Sequence, residues 1–183
     1  AGFEAFLGGN ITVSPLNFLE KTNEHTPVVL ELSSWQLADL RGRGVLKPKI
    51  AVITTIVPDH QNWYGAMEPY VADKKLIYAD QDKDCYTLCK YKDEWGSVFA
   101  RETKGKIVWH AEGEAGIELA NNAAIELGEN EVGIAWVDSS GLGKFHRRGT
   151  AVTPSSKAET LLPEKLSVPG THMKENLLKV VDN

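Results

Sequence analysis

Val28-Val29-Leu30-Glu31-Leu32-Ser33-Ser34-Trp35-Gln36-Leu37 is the stretch on which the fold turns. A short apolar run ends in a carboxylate, and two hydroxyls then open a helical pattern. That order reads as a buried strand giving way to a helix, with Glu31 and Ser33 at the strand's carboxyl end. In an open parallel sheet, ligands bind outside that end. A carboxylate beside a core strand is costly unless a cation or hydrogen-bond donors meet it. The position therefore reads as a site.

Outward from it, short β-branched runs alternate with helical stretches, the pattern of an α/β protein. Gly8-Gly9-Asn10 is read as a turn. Ser14-Pro15 is read as an N-cap with proline at the first helical position, leading a helix that carries Leu16, Phe18 and Leu19. A strand is predicted over 27–32 and a helix from 33 or 34 to about 40, ended by Gly42 and Gly44. Residues 49–56 (KIAVITTI) are apolar on both faces, as a central parallel strand should be. Pro58-Asp59-His60 closes that run. A helix over 67–81 carries Tyr70, Lys74, Ile77 and Tyr78 at helical spacing. Further strands are predicted at 85–89, 107–110 and 132–137, with helices over 93–102, 116–127 and 173–181. Residues 141–153 read as a hairpin or an exposed loop.

The chain has 183 residues, enough for one sizeable core, with 42% hydrophobic and 25% charged residues. Its formal net charge is -5 and no Lys/Arg run exceeds a pair, which argues against nucleic-acid or membrane partners. The longest apolar stretch is far too short to span a bilayer. No charged-then-apolar pattern is read in its first residues, so no export signal is expected there. Cys85 and Cys89 would share a strand face, too far apart to bridge, so both are expected reduced and buried in a cytoplasmic protein. Both termini look cut, and the chain is expected to be a piece of a longer protein.

Several groups fall at or just beyond strand ends: Asn10, Glu31 with Ser33, Asp59 with His60, and Lys74 one helix later. His172 and Asn176 open the last helix, after Pro169-Gly170. An acid, an imidazole and polar donors converging on one sheet edge suit Mg²⁺ and phosphate chemistry. Each alone has a plain structural reading: Asp59-His60 as a turn pair, Lys74 as a solvated lysine, Asn10 as a left-handed turn residue.

Taken together, Gly8-Gly9-Asn10-Ile11, Glu31 to Leu37, Asp59-His60, Tyr70-Val71-Ala72-Asp73-Lys74 and Gly170-Thr171-His172 with Asn176 resemble the ATP-dependent Mur ligases of peptidoglycan synthesis. The Glu-Leu-Ser-Ser-aromatic-Gln-Leu string is most similar to the branch that adds D-glutamate. The resemblance implies a three-layer, mostly parallel α/β central domain of the P-loop NTPase kind, cut at both ends. It implies ATP, two Mg²⁺ ions and an acyl-phosphate, with UDP-N-acetylmuramoyl-L-alanine and D-glutamate as substrates of a monomeric full-length enzyme. On that resemblance, Glu31 would hold the Mg²⁺ that bridges the ATP phosphates. His60 and a carbamylated Lys74 would hold the second. Asn10 and Ser33 would contact the UDP-linked substrate, and His172 and Asn176 the nucleotide.

The family's phosphate loop, Gly-x-x-x-x-Gly-Lys-Ser/Thr, does not occur in these residues. Gly141-Leu142-Gly143-Lys144 has Asp138 where the first glycine belongs and Phe145 in place of the hydroxyl, and Gly105-Lys106 is followed by Ile107. That loop and a UDP-binding domain are expected before Ala1, and a further domain after Asn183. Met173 also stands where the family usually has Asn. The chain alone is therefore expected to be inactive, and an unpaired sheet edge would favour its self-association. Other readings are a sister Mur ligase, a folylpolyglutamate-type ligase, or a non-catalytic nucleotide-binding module.

Overall fold

The structure, a computed structural model, describes residues 4–10, 13–112, 127–137, 143–149 and 159–162. The chain divides into two compact units, Ala1–Val45 with His60–Leu76, and Leu46–Asp59 with Ile77–Asn183.

In the first unit, β1 (Phe6–Gly9) and β2 (Val28–Glu31) pair in parallel, with Phe6 opposite Val28 and Gly9 opposite Glu31. Three helices follow: α1 (Ser34–Asp39), α2 (Gln61–Tyr64) and α3 (Met67–Lys74). Both α1 and α2 pack on α3. The start of α1 is fixed by a reciprocal cap. Ser33 Oγ accepts from the Gln36 amide at 3.2 Å, and the Gln36 side chain accepts from the Ser33 amide at 2.9 Å. At the other end, Gly42 and Gly44 take positive φ, as the sequence requires.

Gly8 and Gly9, read as a turn, are instead the end of strand β1, held by parallel pairing with Leu30 and Glu31. Two further expectations fail in this unit. The helix after Ser14-Pro15 is instead a pair of 3₁₀ turns, Pro15–Asn17 and Leu19–Lys21, although Ser14 does cap the first. Of its three apolar residues only Phe18 is buried, stacked on Phe6 at 5.0 Å, while Leu16 and Leu19 are 77% and 61% exposed. Without a buried stripe, a short segment does not sustain an α-helix. The other failure is β2, expected buried and found exposed at every residue. Its sheet has two strands, so β2 pairs along one edge only among the described residues.

The second unit is a six-stranded sheet, β3 (Ile50–Val52), β4 (Tyr86–Lys90), β5 (Lys106–Ala111), β6 (Glu131–Val137), β7 (Gly143–Arg147) and β8 (Glu159–Leu162), in that spatial order. The first four strands are parallel, and β7 and β8 join antiparallel. Of the span 141–153, read as a hairpin or an exposed loop, residues 143–147 form the strand β7, and 141, 142 and 150–153 lie outside the described residues. Leu88, Val108, Ala135 and Phe145 form the core of one face, against Ile50, Val52 and Tyr86. The strand predicted over 49–56 is shorter. Its last ladder contact is the Ile53 amide on the Leu88 carbonyl at 3.4 Å, and the threonines beyond are exposed.

α4 (Glu94–Glu102), capped by Asp93 through the Gly96 amide at 2.9 Å, packs on β4. A Cβ on Gly96 would stand 2.1 Å from the Lys90 carbonyl, so only glycine allows this approach. The predicted helix 67–81 stops early, tightening to a 3₁₀ turn at Lys75–Ile77. The chain beyond is committed to placing Gln81, whose buried amide donates to the Pro48 and Tyr86 carbonyls, both at 2.9 Å. Cys85 and Cys89 are free and buried, and burial pushes the Cys89 thiol up to about 12. The helices expected over 116–127 and 173–181 lie outside the described residues. No described helix is long and apolar enough to cross a membrane.

Leu88 is 1% exposed, so Leu88→Ala should cost about 2–5 kcal/mol in chemical denaturation. Leu16→Ala should fall within about 0.5 kcal/mol of the parent. Equal losses in the two variants would contradict this placement of the core.

Candidate functional site

The site begins at the end of β1, where two glycines permit a close approach to β2 and to the chain around Val13 and Phe18. A Cβ on Gly9, whose φ is +101°, would lie 2.1 Å from the Glu31 carbonyl oxygen. A Cβ on Gly8 would meet the Val13 carbonyl at 2.7 Å and the Phe18 ring at 2.9 Å. With both side chains absent, β1 stays paired to β2 up to its end and sets Asn10 beside Glu31. Its backbone amide donates to the Glu31 carbonyl at 2.7 Å, and its side-chain amide donates to Glu31 Oε1 at 3.1 Å. Asn10 and Glu31 are both exposed. The result is a carboxylate at a strand's carboxyl end, oriented by a neighbouring amide and open to solvent.

Ser33 sits two residues further on, its oxygen engaged in capping α1 while its O–H can still donate. Ser34 is buried, and Trp35 turns its indole onto the His60 imidazole with ring centroids 4.5 Å apart. His60 has φ of 51° and stands at the N-cap of α2 without a side-chain cap bond. Its left-handed backbone thus serves to aim the ring rather than to close the helix. The Tyr70 ring lies edge-on to His60 at 6.5 Å, and Lys74 Nζ stands over the same ring at 5.7 Å. His60 and Lys74 therefore flank one buried aromatic wall.

Asn10 with Glu31, and His60 with Lys74, are thus brought together as two pairs inside one compact unit. Trp35 links them in sequence, four residues after Glu31 and in ring contact with His60. His172 and Asn176 lie outside the described residues. Sequence reasoning missed the groups behind the pairs. The carboxylate of Asp73, 10% exposed, is ion-paired with Arg41 and accepts the Tyr64 hydroxyl at 2.9 Å. Tyr64 is also hydrogen-bonded to Ser34. Burial is the main cause that raises its pKa, partly offset by the Ser34 bond and reinforced by Asp73. The sequence signal for Asp73 was its place in the Tyr70–Lys74 string, which gave it no role of its own.

Among the described residues, no group of three or more His, Cys, Asp or Glu stands together as a metal cage. Mg²⁺ asks for less: one or two carboxylates, with waters and substrate phosphates filling the rest of its octahedron. A single amide-oriented Glu31 fits that demand.

Parallel strands flanked by helices, with an oriented acid at a strand's carboxyl end, define an α/β domain of the open-sheet, ligand-binding class. The Mur ligase middle domain matches residues 9–181, and the chain belongs to that family. Among curated relatives, the UDP-N-acetylmuramoylalanine--D-glutamate ligase of Treponema pallidum is 52% identical over 122 residues, covering 60% of this chain and 23% of that protein. The protein of the same name from Acetivibrio thermocellus is 29% identical over 177 residues, covering 97% of this chain and 32% of that protein. The matched stretches thus span 23% and 32% of the length of these two relatives. Two crystal structures of MurF from Acinetobacter baumannii share the fold. Their TM-scores are 0.51 and 0.52 at 12% identity, and each is covered to 41% of its length. The family resemblance carried by the five sequence strings is borne out.

Gly9→Ala should destabilise the first unit by at least about 1–3 kcal/mol, since it adds left-handed strain to the clash with the Glu31 carbonyl. Asn10→Ala breaks only an exposed hydrogen bond and should cost less than about 1 kcal/mol. Thermal melts of the two variants check this, and a large loss in Asn10→Ala would contradict the exposed placement of the pair.

Proposed function

We propose that this chain is part of the central ATP-binding domain of a ligase that joins D-glutamate to UDP-N-acetylmuramoyl-L-alanine. ATP would convert the UDP-linked carboxylate to an acyl-phosphate, and the D-glutamate amine would displace the phosphate, releasing ADP and phosphate. The observation that carries the reading is the Asn10 grip on Glu31, set at the head of the Glu31–Leu37 string. The names of the relatives at 52% and 29% identity support it. The rest of the longer protein would supply the phosphate loop, the UDP-binding domain and the C-terminal domain.

Moving a phosphoryl group onto a carboxylate brings anions together, and bound Mg²⁺ neutralises the charge that develops. Glu31 would hold one ion, with Asn10 keeping its carboxylate in one orientation. His60 and Lys74 would hold the second, the lysine as a carbamate. In that modification Lys74 Nζ, as the neutral amine, forms an N–C bond to CO₂ and releases one proton. The aromatic wall of Tyr70 and the Trp35 ring against His60 limit water around both groups. Ser33 keeps an O–H, and Asn10 an amide oxygen, to offer the UDP-linked substrate. His172 and Asn176 are assigned to the nucleotide on the family resemblance alone. The free, buried cysteines support a reducing, cytoplasmic setting.

Phosphate release by the full-length protein, given ATP, Mg²⁺, UDP-N-acetylmuramoyl-L-alanine and D-glutamate, tests the reading. It should require D-glutamate and fall by about 100-fold or more in Glu31→Ala. The 183-residue chain alone should release none. Activity with another amino acid in place of D-glutamate would move the protein to a sister ligase.

A further inference from the structure

One buried carboxylate, Asp73, precedes Lys74 in the string that carries the resemblance, and the proposed chemistry gives it no role. Asp73 is 10% exposed at its side chain, and both of its oxygens are engaged. Oδ1 takes the Arg41 guanidinium, just past the end of α1, and Oδ2 takes the Tyr64 hydroxyl at 2.9 Å. Tyr64 in turn is hydrogen-bonded to Ser34, in the first turn of α1. Three short helices therefore meet at a single side chain.

Each of those helices carries a group of the site. α1 continues the Glu31–Leu37 string and holds Trp35 against His60. α2 is a single turn, with His60 at its start and Tyr64 at its end, closed by the Tyr64 amide on the His60 carbonyl at 3.0 Å. Pinning the Tyr64 hydroxyl therefore pins the turn that aims His60. α3 ends at Lys74, where the backbone changes to a 3₁₀ turn, and its N-cap Ala66 makes no side-chain cap bond. Helix ends of this kind fray unless a neighbour anchors them. Asp73 is that neighbour. Adjacent residues on a helix point about 100° apart, so fixing Asp73 against Arg41 and Tyr64 fixes the direction in which Lys74 leaves. Lys74 accordingly lies over Tyr70, whose ring is packed edge-on against Tyr64 at 5.5 Å.

We propose that Asp73 is the positioning residue of this site: held by Arg41 and Tyr64, it sets the Lys74 ammonium stem and the His60 turn in one fixed arrangement. The inference rests on reading Lys74 and His60 as metal-site residues with Lys74 carbamylated. A merely structural ion pair would stabilise the helices without changing how readily Lys74 takes up CO₂. A positioning residue changes that uptake, because a misaimed carbamate loses the metal that stabilises it.

The test uses the full-length protein with Asp73→Asn, which keeps the shape and removes the charge, and Tyr64→Phe, which removes one oxygen. Lys74→Ala is the control. Carbamate is read by ¹³C NMR with labelled bicarbonate, beside ligase kinetics and thermal melts. In both variants we expect kcat to fall about tenfold with each KM within about threefold of the parent. The carbamate signal should need about tenfold more bicarbonate to half-saturate, and added bicarbonate should restore part of kcat. If Asp73→Asn does not fold, Tyr64→Phe carries the test. Unchanged kcat and bicarbonate dependence in a folded variant, with Lys74→Ala silent, would overturn the positioning role alone. Full activity in Lys74→Ala, with no carbamate signal in the parent, would instead remove the reading of Lys74 and this proposal with it.

Discussion

The Glu31 carbonyl lies 2.1 Å from the place where a side chain on residue 9 would begin, and the site depends on that approach. Two parallel strands of four residues give few ladder bonds, so a clash at their shared end would part them where the carboxylate stands. With glycine there, β1 stays paired to its end and Asn10 meets Glu31 twice, through the backbone and through the side chain. The backbone contact closes the ladder. The side-chain contact is exposed and adds little to stability, which leaves orientation of the acid as its consequence.

The same logic of close approach recurs behind the other pair. His60 and Lys74 come from segments too short to hold themselves, a single helical turn and an eight-residue helix. Their arrangement is supplied from outside the pair, by Trp35 on one side, Tyr70 between them, and Asp73 beneath. A buried carboxylate is costly alone, yet here it meets a guanidinium and a phenol, so both oxygens are satisfied. The cost of burying it is accepted where three helices must keep a common register.

Much of this was legible in the amino-acid order. The strands of the second unit were readable because Leu88, Val108 and Ala135 fall in apolar runs bounded by polar turns, and their pairing follows from parallel packing. Gly8 and Gly9 looked like a turn but lie in β1, where close approach of the neighbouring chain leaves no room for a Cβ. What failed did so for physical reasons. Leu16 and Leu19 looked like a helix face, but they bury nothing, so the α-helix contracts to 3₁₀ turns. Val28 to Leu30 looked like a core strand but are exposed, in a sheet of two strands. Helix 67–81 ended early because Gln81 is needed by the Pro48 and Tyr86 carbonyls, a demand set 33 residues away in one case. Asp73 stood in the Tyr70–Lys74 string, but its role was not legible there, because it lies in contacts with Arg41 and Tyr64 that are unremarkable in sequence.

The central claim is that Glu31, oriented by Asn10, is a cation-binding acid. Binding of Mn²⁺ to the full-length protein in the presence of ATP, followed by the electron paramagnetic resonance of the free ion, addresses it directly. Loss of a group behind a metal ligand weakens binding by about 10–100-fold, so Asn10→Ala should fall in that range and Glu31→Gln should exceed it. Parental Mn²⁺ affinity in Glu31→Gln would contradict the account.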